Sequence, residues 1–156
     1  MSTELDQAIA QEAGELEALQ RGVVALLQAK PGLAAVKILH EDDGDIENRI
    51  QAAFSSTGLL MLVLSPEGSS QYPDAAALHI DDLEIVVRVI EVPLINRSAG
   101  GANIPINQAL QHVATWLRNR IIAGNALTFS RFKTVAGAKV PTKDVVFKTS
   151  LTLSDI

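Results

Sequence analysis

Five carboxylates crowd into the seven residues Glu41-Asp42-Asp43-Gly44-Asp45-Ile46-Glu47, with His40 directly before them. Hard cations want several oxygen ligands, so this is the stretch with metal-like chemistry. Its spacing is not that of an EF-hand loop, which takes ligands at alternate positions and closes on a distant glutamate. A solvated turn, with Asp45 capping a following helix, is the simpler expectation. The three histidines, His40, His79 and His112, never fall three or four residues apart, so no helix presents two imidazoles to one ion. Serines are plentiful, but none sits in the G-x-S-x-G turn that exposes a nucleophile. The chain has no cysteine, which excludes disulfides, thiolate nucleophiles and Cys-ligated zinc or iron–sulfur sites. Gly100-Gly101 precedes a helix, where backbone donors can hold phosphate. It lacks both the P-loop lysine pattern and the dinucleotide G-x-G-x-x-G, so a flexible loop is expected. The sequence therefore yields no catalytic, cofactor-binding or metal-ligating set.

Other polar residues are placed to make contacts instead. Glu91 closes a strand, and Asn96-Arg97 follows it after Pro93. An arginine there grips a carboxylate or loop carbonyls with two-pronged geometry. It either anchors its own loop or meets a neighbouring subunit. Lys139 and Lys143 lie in TVAGAKVPTK (134–143), which is long for a hairpin connection and is expected to protrude as an arm. Glu91, Asn96, Arg97, Lys139 and Lys143 are the candidate contact residues for subunits or other partners.

The elements that must position these residues are readable from apolar spacing. Leu5, Ile9, Ala13, Leu16, Leu19, Val23 and Leu27 repeat with helical period after a Ser2 or Thr3 cap, and Lys30-Pro31-Gly32 ends the run. Unbroken, that helix is about 25 residues and roughly 38 Å long, with Gly14 or Gly22 as sites for a bend. Leu33–His40 reads as a short strand, and Ile46, Ile50 and Phe54 share one face of a short helix. Leu59–Leu64 is a continuous apolar run, as in a strand buried on both faces. Residues 65–82 form a long connection, a kind that is often mobile or functional. From Leu83 the chain alternates: Leu83, Ile85, Val87 and Val89 on one face, Glu84, Val86, Arg88 and Ile90 on the other. The mixed second face predicts partial cover, or cover by another chain.

A third helix starts near Pro105, buries Ile106, Ala109, Leu110, Val113, Trp116, Leu117 and Ile121, and stops at Gly124-Asn125. Two strands, Leu127–Lys133 and Asp144–Leu153, close the chain. The order α-β-α-β-β-α-β-β predicts one α+β domain over residues 1–156, a mostly antiparallel sheet flanked by helices.

Composition sets limits on partners. Of 156 residues, 47% are hydrophobic and only 4% aromatic, so the core is aliphatic. A net charge of −5 argues against specific nucleic-acid binding, which needs a basic footprint. MSTELDQAIAQEAGELE has neither a basic n-region nor an apolar h-region, and no apolar run approaches a membrane span. A protein made and used in a cytoplasm is the expectation.

The long first helix, DIENRIQAAFSSTGLLMLVLSPEG, VVRVIEVPLINR, ALQHVATWL and the closing VVFKTSLTL together resemble tail terminator and tail completion proteins of Mu-like tailed phages and prophages. The resemblance spans most of the chain and rests on element order and a few residues. It implies a non-enzymatic structural protein without cofactor. Such a protein forms a ring, usually a hexamer, on the end of the tail tube, ends polymerisation and presents a surface to the head and neck proteins. Its location would be the host cytoplasm during assembly and then the virion tail. The net negative charge, placed along the channel, would let DNA pass without sticking. The alternatives are another head–tail connector or tube protein, or a small-ligand domain using the acidic turn or a pocket beside Trp116.

Overall fold

The computed structural model describes residues 14–72, 76–122 and 124–154. In chain order the elements are α1 (Glu15–Gln28), β1 (Lys37–His40), α2 (Ile46–Ser56), β2 (Leu59–Val63), β3 (Glu67–Ser69), β4 (Leu78–Glu91), α3 (Pro93–Asn96), α4 (Ile106–Leu117), β5 (Ile121–Ile122), β6 (Asn125–Ala126), β7 (Thr128–Thr134) and β8 (Thr142–Leu153). One sheet runs β1-β2-β4-β8-β7, with β3 pairing onto β4. Among the described strands only β1 and β2 pair in parallel, joined by α2. The protein is thus α+β, with a mostly antiparallel sheet flanked by helices.

Period-two alternation decides the faces. Leu83, Ile85, Val87 and Val89 lie side by side with Met61 and Val63 of β2 and Val145, Phe147 and Leu151 of β8 in one core. Leu19, Val23 and Leu27 of α1, and Ala109, Leu110, Val113 and Leu117 of α4, cover that face. Burying each such side chain contributes roughly 1.5–3 kcal/mol, so this face supplies most of the stability. On the reverse face α2 packs on β1 and β2, and Leu60, Leu62 and Ala53 are buried there. Glu84, Val86, Arg88 and Ile90 are half-buried, in keeping with their mixed alternation.

Four sequence expectations change. The first helix is not unbroken: Gly14, one of the two bend sites named from the sequence, has φ 82°, outside helical space, so α1 begins at Glu15. Its expected start, residues 2–13, lies outside the described residues. The first strand is shorter than expected, because residues 33–36 form turns closed by Leu33 N–H to Lys30 O and Val36 N–H to Leu33 O. The long connection is also shorter, since β4 starts at Leu78. The turn-like Asp81-Asp82 pair sits inside the strand at an irregularity between Ile80 and Leu83, where a bulge absorbs the extra residue.

The last change is at α4, which stops at Leu117 rather than at Gly124. Arg118 turns away (ψ 136°), and Asn119 takes φ 64°, a left-handed geometry that asparagine tolerates. Arg120 Nε then donates to Trp116 O, covering an end carbonyl at 2.8 Å. Ile121, expected in the buried stripe, is 71% exposed in the small β5–β6 hairpin.

Trp116 joins the two covering helices. Its Nε1 donates to Leu26 O at 2.7 Å, and Lys30 and Arg120 lie over its ring at 5.3 and 4.2 Å. Trp116→Phe removes that hydrogen bond and leaves Leu26 O short of a donor. A loss of about 1 kcal/mol is expected in chemical denaturation followed by circular dichroism. His112, one turn before Trp116, is held below the ordinary histidine value, first by burial and second by the Lys30 charge. The unfolded chain therefore takes up this proton more readily than the folded one. The contribution is present above about pH 6.5 and is lost as pH falls toward the lowered folded value. Stability measured from pH 7.5 down to 5.5 should fall less steeply in His112→Gln than in the parent chain.

Candidate functional site

The carboxylates of the acidic turn do not gather around one point: two meet at Ser65 and two others take separate partners. Glu41 Oε2 accepts from the Ser65 backbone N–H at 2.8 Å, and Asp42 accepts from the Ser65 hydroxyl. Asp43 pairs with Arg49 at 2.7 Å, and Asp45 Oδ1 accepts from Asn48 Nδ2 at 2.9 Å. Asp45 is the N-cap residue of α2, but its side chain makes no capping bond. Among the described residues no three His, Cys, Asp or Glu side chains come together to hold a metal. His79 joins Thr152 and Asp81 at the end of β4. His40 keeps a buried Nε2 without a hydrogen-bond partner among the described residues.

Glu91, Asn96 and Arg97 do come together. Pro93, at the first position of α3, ends the ladder and turns the chain so that Asn96 folds back on Glu91. The two are 0% and 1% exposed. Asn96 Nδ2 donates both to the Glu91 carboxylate and, at 2.8 Å, to Ile104 O. Arg97 reaches the same carboxylate at 3.5 Å from a largely exposed position. The cluster is an anchor within the chain, and its buried members face the chain's own loop. That loop is pinned, in contrast to the flexible loop expected from NRSAGGAN. Asn103 N–H donates to Asn96 O at 2.8 Å and Ala102 N–H to Thr57 O at 3.1 Å. A Cβ on Gly101 would lie 2.1 Å from Ile95 O.

Lys139 and Lys143 lie elsewhere. The β7–β8 ladder continues to the Thr134–Lys143 pair, so the expected arm shrinks to the loop 135–141. The Glu91 N–H donates to Pro141 O at 3.0 Å, tying the base of this loop to β4. Lys139 is exposed on the loop, and Lys143 Nζ donates to Asn107 Oδ1 of α4 at 2.7 Å.

Sequence reasoning missed the apolar surface beside Lys143. Phe129 and Phe132 on the edge strand β7 are 38% and 52% exposed, with ring centroids 5.0 Å apart. Residues three apart in a regular strand point to opposite faces. Here a register shift between Phe129 and Arg131 places Phe129 opposite Phe147 and Phe132 opposite Val145, so both rings lie on the helix-covered face. A groove of about 510 Å3 runs there between α4 and β7, lined by Asn107, Leu110, Gln111, Phe132, Thr134 and Lys143 among others.

On the reverse face β4, β8 and β7 carry paired charges. Arg88 grips Asp144 with two bonds of 2.9 and 3.0 Å, which hold the guanidinium above its already high ordinary value. Arg131 meets Glu84 at 3.3 Å and Lys148 meets Asp82 at 3.2 Å. Among the described residues, no helix is long and apolar enough to cross a membrane.

No protein-family model matches the chain, and no curated protein matches it either.

Proposed function

We propose that this chain is a non-enzymatic structural protein of a tailed phage or prophage, a tail terminator that caps the tail tube as a ring. In this role it ends tube growth and presents the surface that joins head and neck proteins. The observation that carries the proposal is the edge of the sheet. Among the described residues β7 is an outer strand with one side unpaired in the sheet, and it displays two neighbouring phenylalanines next to the groove. Open edges of this kind template pairing with another chain, and a head-to-tail contact made through them closes into a ring when the rotation divides a full turn. The short loop 135–141, with Lys139 exposed, stands at the same end of the sheet.

The mass in solution, measured by light scattering at low and high protein concentration, is the first test. A discrete species near six subunits that sediments with preformed tail tubes is expected. Long polymers of the chain alone would instead indicate a tube protein. A monomer at every concentration that does not bind tube ends would overturn the proposal.

A further inference from the structure

We propose that β7 of one copy pairs antiparallel with β1 of the next, with Phe132 opposite His40 and Thr134 opposite Ile38. The proposal rests on the self-assembly put forward above and names the partner surface that β7 meets.

Among the described residues, β1 and β7 end the path β1-β2-β4-β8-β7, and neither has a strand on its outer side. The registers place these two edges level. One row of paired residues crosses the whole sheet as His40, Val63, Val87, Val145 and Phe132. Another runs Ile38, Met61, Val89, Lys143 and Thr134. Direction agrees as well. β1 runs with β2, and three antiparallel pairings separate β2 from β7, so β1 and β7 run opposite ways. A copy set beside the first by rotation about an axis along the strands keeps those directions. Its β1 then meets β7 antiparallel and in step.

The unpaired backbone groups coincide. Along a strand, successive residues turn N–H and C=O to alternate sides of the ladder. Val135 N–H donates to Thr142 O, so Phe132 and Thr134 turn outward from β7. Glu41 N–H donates to Val63 O, so Ile38 and His40 turn outward from β1. These are the residues that the two rows set opposite each other. His40 O already accepts from Asp43 N–H, so at that position β1 contributes its N–H.

Charge selects this partner over the others. Two β7 strands paired around Phe132 would set Arg131 opposite Lys133, and like charges opposite each other repel. β1 instead runs into Glu41, Asp42 and Asp43. Continuing the proposed ladder puts Arg131 opposite Glu41, with Lys133 on its diagonal at roughly 7–8 Å, within reach of a long side chain. Within one chain all three residues line a cleft on the reverse face, so they project from the same side of the sheet. Arg131 is already paired with Glu84. Among the described residues neither Lys133 nor Glu41 makes an ion pair. The exposed edge of β3 fits less well. It brings one carboxylate, Glu67, and only Thr128 of β7 stands level with it. A contact joining unlike edges is head to tail, the kind that builds rings.

The chain has no cysteine, so introduced thiols report this contact alone. Lys37 is exposed, and the same count sets it opposite Val135. Both turn their backbone inward, which makes them a close pair with Cα atoms about 4.5 Å apart, within disulfide range. Chains carrying Lys37→Cys or Val135→Cys, each with a different tag, are mixed and oxidised, with circular dichroism confirming that each is folded. The expected product is a disulfide joining the two tags. Its yield should fall at least fivefold when the Val135→Cys chain also carries Lys133→Glu, and recover when its partner carries Glu41→Lys. A Thr128→Cys chain, at the other end of β7, should give little product. Equal yield from it, or no response to Lys133→Glu, would overturn the proposal. Val135→Cys chains joining each other faster than the mixed pair would overturn it in favour of β7 self-pairing. An oligomer by light scattering without the mixed disulfide would overturn this contact and leave the ring standing. The disulfide in open filaments would support the contact and count against the terminator reading. A single-stranded oligonucleotide that suppresses the disulfide and loses affinity in Lys133→Glu would reassign the edge to nucleic acid.

Discussion

Gly101→Ala should be strongly destabilising, while Gly100→Ala next to it should be harmless. A Cβ on Gly101 would sit 2.1 Å from Ile95 O and 2.3 Å from Asn96 O. Both are backbone atoms, so no side chain can swing away to make room. The loop must lift off, which strains Asn103 N–H to Asn96 O and Ala102 N–H to Thr57 O. Overpacking of this severity costs about 3 kcal/mol, or roughly a 10 °C fall in midpoint for a chain of this size. Gly100 has nothing within 4 Å of a built Cβ, and alanine there narrows the unfolded ensemble, a gain of up to about 1 kcal/mol. Thermal melts of the two variants side by side decide the matter. Equal stabilities would mean that the loop is not held as described.

That pair of glycines marks where the sequence ceases to be legible. Composition makes Gly100 and Gly101 equivalent parts of a soft loop; only the return of Asn96 onto Glu91 distinguishes them, and that is a tertiary fact. The parts that could be read were those where a period meets burial. The alternation from Leu83 to Ile90 gave the faces of β4, and the LLMLV run gave a strand buried on both sides. Where one residue breaks the period, inference failed. Arg118 and Asn119 turn the chain out of α4 before Ile121 could join its stripe, and Asp81-Asp82 hides in a bulge; the positive φ of Gly14, by contrast, falls at one of the two bend sites that the sequence did name. The Phe129–Phe132 surface was lost for the same reason. A spacing of three assigns the rings to opposite faces, and only the shifted β7–β8 register unites them. An aromatic pair in a chain with 4% aromatic content was nonetheless a signal, since a core this aliphatic has little need to leave two rings half exposed.

The second large effect should come from Asn96→Ala, with Arg97→Ala as its counterpart. On charge alone Arg97 is the more important partner of Glu91, because it carries the opposite sign. Geometry reverses that order. Arg97 is 3.5 Å from the carboxylate and its side chain is 60% exposed, so water screens the pair and its loss should cost under about 1 kcal/mol. Asn96 is fully enclosed and donates to both Glu91 and Ile104 O. Alanine there strips a buried carboxylate of its closest donor and leaves a carbonyl unbonded. A hydrogen bond to a charged group is worth about 1.5–3 kcal/mol and a stranded buried acceptor costs about 1–3 more, so a total near 3 kcal/mol or above is expected. Denaturant midpoints of the two variants measure the difference directly. If Arg97→Ala proved the more damaging, the carboxylate would be held chiefly by charge, and Glu91 would have to be more open to the exposed surface than its 1% exposure indicates. The expected ranking instead makes Glu91 and Asn96 the fixed joint from which the loop 97–103 leads into α4, and so a determinant of where one wall of the groove stands.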